Sequence, residues 1–67
     1  LIKNIYLIEI KSSVHKADVA ELYKIASLCS KVTGIKSRLI IISPYVDEKA
    51  KELAKKLNIE IYTSLST

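Results

Sequence analysis

Glu9 and Lys11 stand two residues apart in the apolar run Leu7-Ile8-Glu9-Ile10-Lys11, which breaks into Ser12-Ser13. In an extended strand, side chains two apart share a face. A carboxylate and an ammonium therefore project together from a strand end. The carboxylate can hold a divalent cation such as Mg²⁺, which prefers oxygen ligands and keeps several of its waters. The ammonium beside it can stabilise a phosphate oxygen or lower the pKa of an attacking water. Metal-assisted phosphodiester hydrolysis uses this combination. The competing use is structural, an ion pair at the solvated rim of a sheet, where such pairs contribute little. Hydrolysis also needs a second carboxylate for the metal, and no acidic residue precedes Glu9.

The elements that must position this pair follow from periodicity. Residues Ile2 to Lys11 read as a strand, with Ile5 and Leu7 on one face and Tyr6, Ile8 and Ile10 on the other. Apolar groups on both faces predict a central, doubly covered strand. Ser12 and Ser13 offer an N-cap for a long helix from Val14 to about Val32. Its apolar stripe comprises Val19, Leu22, Tyr23, Ala26, Cys29 and Val32, widened by Ile25 and Leu28. Lys16, Asp18, Glu21, Lys24 and Lys31 take the remaining face, and Gly34 stands where a helix C-cap favours glycine.

Leu39 to Ser43 form a second strand on the continuous run Leu39-Ile40-Ile41-Ile42, typical of an interior parallel strand and stopped by Pro44. Asp47 is the predicted N-cap of a second helix reaching Leu57 and burying Val46, Ala50, Leu53, Ala54 and Leu57. Glu52 and Lys56 have the spacing of a favourable pair, and Asn58 replaces glycine at the helix end. Ile59 to Tyr62 form a short third strand, marked as an edge by Glu60, and residues 64–67 read as a frayed tail.

The order β-α-β-α-β predicts an α/β fold: a three-stranded, mainly parallel sheet with two helices and right-handed crossovers. Strands lying in chain order place both helices on one face and leave the other bare and apolar. A face of that kind marks an interaction surface, to be covered by a missing N-terminal segment or by a second subunit in a homo-oligomer. A central first strand would instead put one helix on each face. The former arrangement is preferred.

Composition narrows the function classes. Sixty-seven residues make one domain, and a sequence 49% hydrophobic is too apolar for disorder. No methionine occurs and the first residue is Leu1, so the chain is read as a fragment of a larger domain. No apolar run reaches the ~20 residues of a membrane span, and the charged start is not a signal peptide. The lone Cys29 points to a reducing, cytoplasmic setting and reads as a small core residue. No second Cys or His stands at zinc-binding spacing. A net charge of +4 suits a polyanionic partner.

The segment Ile8-Glu9-Ile10-Lys11-Ser12-Ser13 resembles the E-x-K half of the motif of the PD-(D/E)XK superfamily, the restriction-endonuclease-like nucleases. The following long helix, the strand Arg38 to Ser43, the stretch Pro44-Tyr45-Val46-Asp47 and the ending Leu57-Asn58-Ile59-Glu60-Ile61-Tyr62 extend the likeness. Together they resemble the C-terminal half of uncharacterised archaeal nuclease-like proteins, a truncated restriction-endonuclease-like core.

The resemblance implies a nuclease dependent on Mg²⁺ or Mn²⁺. Glu9 is then the metal-binding carboxylate, the carbonyl of Ile10 a further ligand, and Lys11 the catalytic lysine. It makes nucleic acid the partner, DNA before RNA; from their place at the start of the helix, beside the site, His15 and Lys16 are the candidate contacts. The family's aspartate lies on the preceding strand of a hairpin, which this sequence does not contain. The residue four before Tyr23 is Val19, so the Gln-x-x-x-Tyr pattern of one branch is lacking too. This polypeptide alone is accordingly expected to be inactive, with the alternative of a non-catalytic oligomerisation or nucleic-acid-binding module. Tyr45 and Tyr62 are candidates to stack on bases. The lysines at 49, 51, 55 and 56 form a solvated face.

Overall fold

A computed structural model describes residues 4–63. The element order is β1 (Ile5–Ile10), α1 (Lys16–Thr33), β2 (Ser37–Ile42), α2 (Glu48–Lys56) and β3 (Glu60–Tyr62). The strands are parallel and lie side by side in the order β1-β2-β3. Ile5 pairs with Ser37 and Ile10 with Ile42, so the register between β1 and β2 runs one to one without a bulge. The α/β fold predicted from periodicity is therefore the one formed.

Right-handed crossovers between strands in chain order carry both helices to one face. Burial follows that face. Leu39, Ile41 and Ser43 of β2 and its extension are buried, and they join Val19, Leu22 and Ala26 of α1 and Ala50 and Ala54 of α2. Val14, Val46 and Ile59 complete the core, with Leu7, Leu53, Leu57 and Ile61 packed against it. On the other face Tyr6, Ile8 and Ile10 are exposed. Ile40 and Ile42 are half-buried there. Arg38 donates to Glu60 across β2 and β3, and the Tyr62 hydroxyl donates to Glu60 Oε1 at 3.1 Å. A bare face with this composition is what the preferred arrangement required.

The helix ends follow their capping residues. Asp47 accepts the Ala50 N–H at 2.7 Å and opens α2. Gly34 closes α1 with φ 74°, its N–H donating to the Ser30 carbonyl. Asn58 takes φ 60° after α2, a conformation that asparagine tolerates.

Four expectations need correction. β1 is an edge strand, not a central one, because β2 is flanked by both others. The N-cap of α1 is His15 rather than Ser12 or Ser13. Val14 is held extended in a parallel bridge with Val46, donating to the Tyr45 carbonyl and accepting from Asp47, and this delays the helix. The apolar stripe of α1 is only partly used: Tyr23, Ile25, Leu28 and Val32 are exposed, Val32 by 87%, and Cys29 is half-buried. The buried positions are Val19, Leu22 and Ala26, so the stripe in contact with the core is one residue wide per turn and ends before the last two turns of the helix. On α2 the ion pair within reach is Glu48 with Lys51 at 3.8 Å, not Glu52 with Lys56. The tail 64–67 and the strand start at Ile2 and Lys3 lie outside the described residues.

Candidate active site

Both helices run antiparallel to the strands, so their amino ends and the carboxyl ends of the strands meet at one end of the molecule. Ligands of open α/β sheets bind at such ends. Two loops build this one: residues 11–15 after β1 and residues 43–47 after β2. The Val14–Val46 bridge zips them together, and both valines are buried. Ser43, buried in the second loop, donates its hydroxyl to the Tyr45 carbonyl at 2.8 Å. The loops are thus braced against each other beneath the side chains they present.

Glu9 and Lys11 arrive together as the strand period predicts. Lys11 continues the ladder, its N–H donating to the Ile42 carbonyl at 3.1 Å. Glu9 is exposed, and no cation lies within ion-pair distance of it among the described residues. The partner of Lys11 is a residue assigned above only to a solvated helix face. Lys11 Nζ donates to Asp18 Oδ1 at 2.7 Å, and the other oxygen of Asp18 accepts the His15 N–H at 2.8 Å. Asp18 is the third residue of α1, where a carboxylate both caps the backbone and meets the positive end of the helix. The spacing His15-x-x-Asp18 is a sequence signal that finds this residue, once His15 is recognised as the cap.

The charges respond. Asp18 stays ionised below its ordinary 3.8, chiefly through the Lys11 hydrogen bond and then the His15 amide. Lys11 holds its proton above its ordinary 10.5, through the Asp18 hydrogen bond first, with the charges of Asp18, Glu9 and Glu21 adding to it. Only Asp18 touches the ammonium, and Glu9 and Glu21 act on it from beyond ion-pair distance.

His15 lies beside this group. Its ring is 6.2 Å from that of Tyr45, tilted by 56°, and its Nδ1 is 3.7 Å from Asp18 Oδ2. Lys16 opens α1 and is exposed, as is Tyr45. Ile10 shows its side chain to the bare face, 72% exposed, so only its backbone is available to a site shared with Glu9. Tyr62 reaches the same end of the sheet on that bare face, with its hydroxyl on Glu60. The lysines of α2 are all exposed.

As a metal site the donor set is incomplete. Mg²⁺ accepts one or two carboxylates with waters and phosphate oxygens, and Glu9 supplies one unpaired carboxylate. No group of three or more His, Cys, Asp or Glu converges among the described residues. Asp18 does not fill the gap, since both of its oxygens already serve N–H donors. The outer edge of β1 has no partner strand among the described residues. No helix among the described residues is long and apolar enough to cross a membrane. Neither a curated protein nor a solved structure matches the chain. A sequence model of the PD-(D/E)XK nuclease superfamily matches residues 2–60.

Proposed function

The chain belongs to the PD-(D/E)XK nuclease superfamily, and from that premise we propose that the carboxyl end of β1 is one half of a metal-dependent nuclease site. The observation that carries this reading is Glu9, without an ion-pair partner among the described residues, two positions from Lys11 at a strand end braced by two loops. Glu9, with the Ile10 carbonyl, is the chain's share of the ligands for Mg²⁺ or Mn²⁺. When bound, such an ion polarises a phosphoryl oxygen and lowers the pKa of its water. Lys11 orients the attacking water and stabilises charge on the phosphate. A second carboxylate, on a strand added antiparallel to the free edge of β1, completes the site. His15, Lys16 and the Tyr45 ring form the near wall and contact the nucleic-acid backbone and bases, DNA in preference to RNA. The 67-residue polypeptide alone is inactive in this reading, and the protein acts in the cytoplasm.

The test is metal-dependent cleavage of labelled DNA and RNA by the natural protein. Glu9→Gln and Lys11→Ala are each expected to abolish cleavage while leaving the circular dichroism spectrum unchanged. Cleavage that survives Glu9→Ala overturns the assignment.

One observation favours a second reading. The exposed face of Tyr6, Ile8 and Ile10 beside Ile40 and Ile42 suits a non-catalytic module that assembles with a second copy. Salt-sensitive nucleic-acid binding without cleavage, by an assembled protein, would favour it.

A further inference from the structure

We infer that Asp18 is the positioning residue of Lys11, holding its ammonium at the carboxyl end of β1, where Lys11 and Glu9 share one strand face. The inference rests on the nuclease reading above and adds a residue to it. A lysine side chain is a flexible four-carbon stem carrying a point charge, and its rotamer freedom must be restricted before the charge sits at one place. Lys11 is the residue after β1, and its side chain is 40% exposed, so packing alone does not fix it. The fixing contact comes from the first turn of α1. Asp18 is itself immobilised, because one oxygen accepts the His15 amide at 2.8 Å while the other takes Lys11 Nζ at 2.7 Å. Behind it, Val19 is fully buried in the core. The Val14–Val46 bridge anchors the loop that carries His15. The chain of support therefore runs from the core through Val19 and Asp18 to the ammonium. Glu9 has no such tether, which leaves its carboxylate available for a cation while the neighbouring charge is held in place.

Asp18→Asn separates the two roles of the carboxylate. An asparagine oxygen still accepts the His15 amide, so the helix start is kept, while the charged contact with Lys11 is lost. Removing the partner that orients a metal ligand costs about 10–100-fold in metal affinity or activity, and the partner of the adjoining lysine is expected to act on the same scale. For the natural protein, Asp18→Asn is expected to lower kcat within that range while leaving KM and the metal concentration for half-activity unchanged. Asp18→Glu, which restores the charge, is expected to recover part of the loss. A second readout needs no catalysis: the rate of Lys11 acylation by acetic anhydride relative to Lys24 and Lys49. Lys11 is expected to be protected in the natural protein and to react like the other two in Asp18→Asn. If Glu9→Gln abolishes cleavage while Asp18→Asn changes neither kcat nor Lys11 acylation, the inference fails and the nuclease reading stands. If the natural protein shows no metal-dependent cleavage, the reading fails and the inference falls with it.

Discussion

Asp18 serves two donors at once, and this gives the chain a pH signature that can be worked out residue by residue. Its carboxyl is held below the ordinary 3.8 by Lys11 and the His15 amide, and Glu60 is held below its ordinary 4.5, chiefly by Arg38. A carboxylate with a depressed folded-state pKa binds fewer protons folded than unfolded. Its contribution is complete above the unfolded value and is lost as pH falls through the folded one. Lys11, raised above 10.5, behaves in the opposite sense: its contribution is present below that value and disappears as pH rises through its folded pKa. Urea midpoints of the chain are therefore expected to fall once the pH drops below 4.5 and again above 10.5. Asp18→Asn should flatten the acid limb in part, leaving the Glu60 share, and should reduce the alkaline loss due to Lys11, whose ammonium Glu9 and Glu21 still favour. Superimposable acid limbs for the two proteins would contradict the Asp18 contribution. Glu9 and Lys11 were legible in the sequence because the two-residue strand period is local. Asp18 was not, because its contact with Lys11 spans seven residues and depends on a loop whose path is set by the distant Val46.

At the scale of elements, capping and periodicity carried most of the fold. Asp47, Gly34 and Asn58 mark helix ends by local chemistry, and each does so in the structure. Losing the Asp47 side chain should therefore have a local and measurable cost. Asp47→Ala leaves the Ala50 N–H without its acceptor and is expected to destabilise the domain by about 0.5–2 kcal/mol. The check is the shift in urea midpoint, with Asp47→Asn or Asp47→Ser nearly neutral. A fully neutral Asp47→Ala would mean that α2 is held by packing alone. Ser12 and Ser13 failed as caps for a reason outside their own sequence window. Val14 gains a backbone bridge to Val46 and full burial, and these outweigh the modest gain of an earlier helix start. The unused part of the α1 stripe was beyond a local reading too: periodicity shows which residues share a side, but not how wide a strip of that side meets the core.

For the whole molecule, the decisive quantity is the uncovered face. A domain of this size seldom derives more than about 3–5 kcal/mol of net stability from its own core. Fully burying one isoleucine is worth roughly 1.5–3 kcal/mol. Covering Ile8 and Ile10, both more than half exposed, would therefore add about 2–4 kcal/mol, a large fraction of what the core supplies. Exposed Tyr6, Ile8 and Ile10 adjoin half-buried Ile40 and Ile42 in one apolar face of the kind that marks interaction surfaces, and the edge of β1, without a partner strand among the described residues, lies along its border. The 67-residue chain is accordingly expected to associate with itself as its concentration rises, and its thermal midpoint should rise in parallel. Ile8→Lys places a charge at the centre of the patch without touching the helix-covered core. It should shift sedimentation towards the monomer and make the midpoint independent of concentration. Ile41→Ala is the contrasting variant: its side chain is fully buried on the other face, and its loss of about 2–5 kcal/mol should unfold the chain at every concentration. A natural chain that sediments as a monomer throughout, with a concentration-independent midpoint, would show that these isoleucines are tolerated in water and that assembly plays no part in its stability.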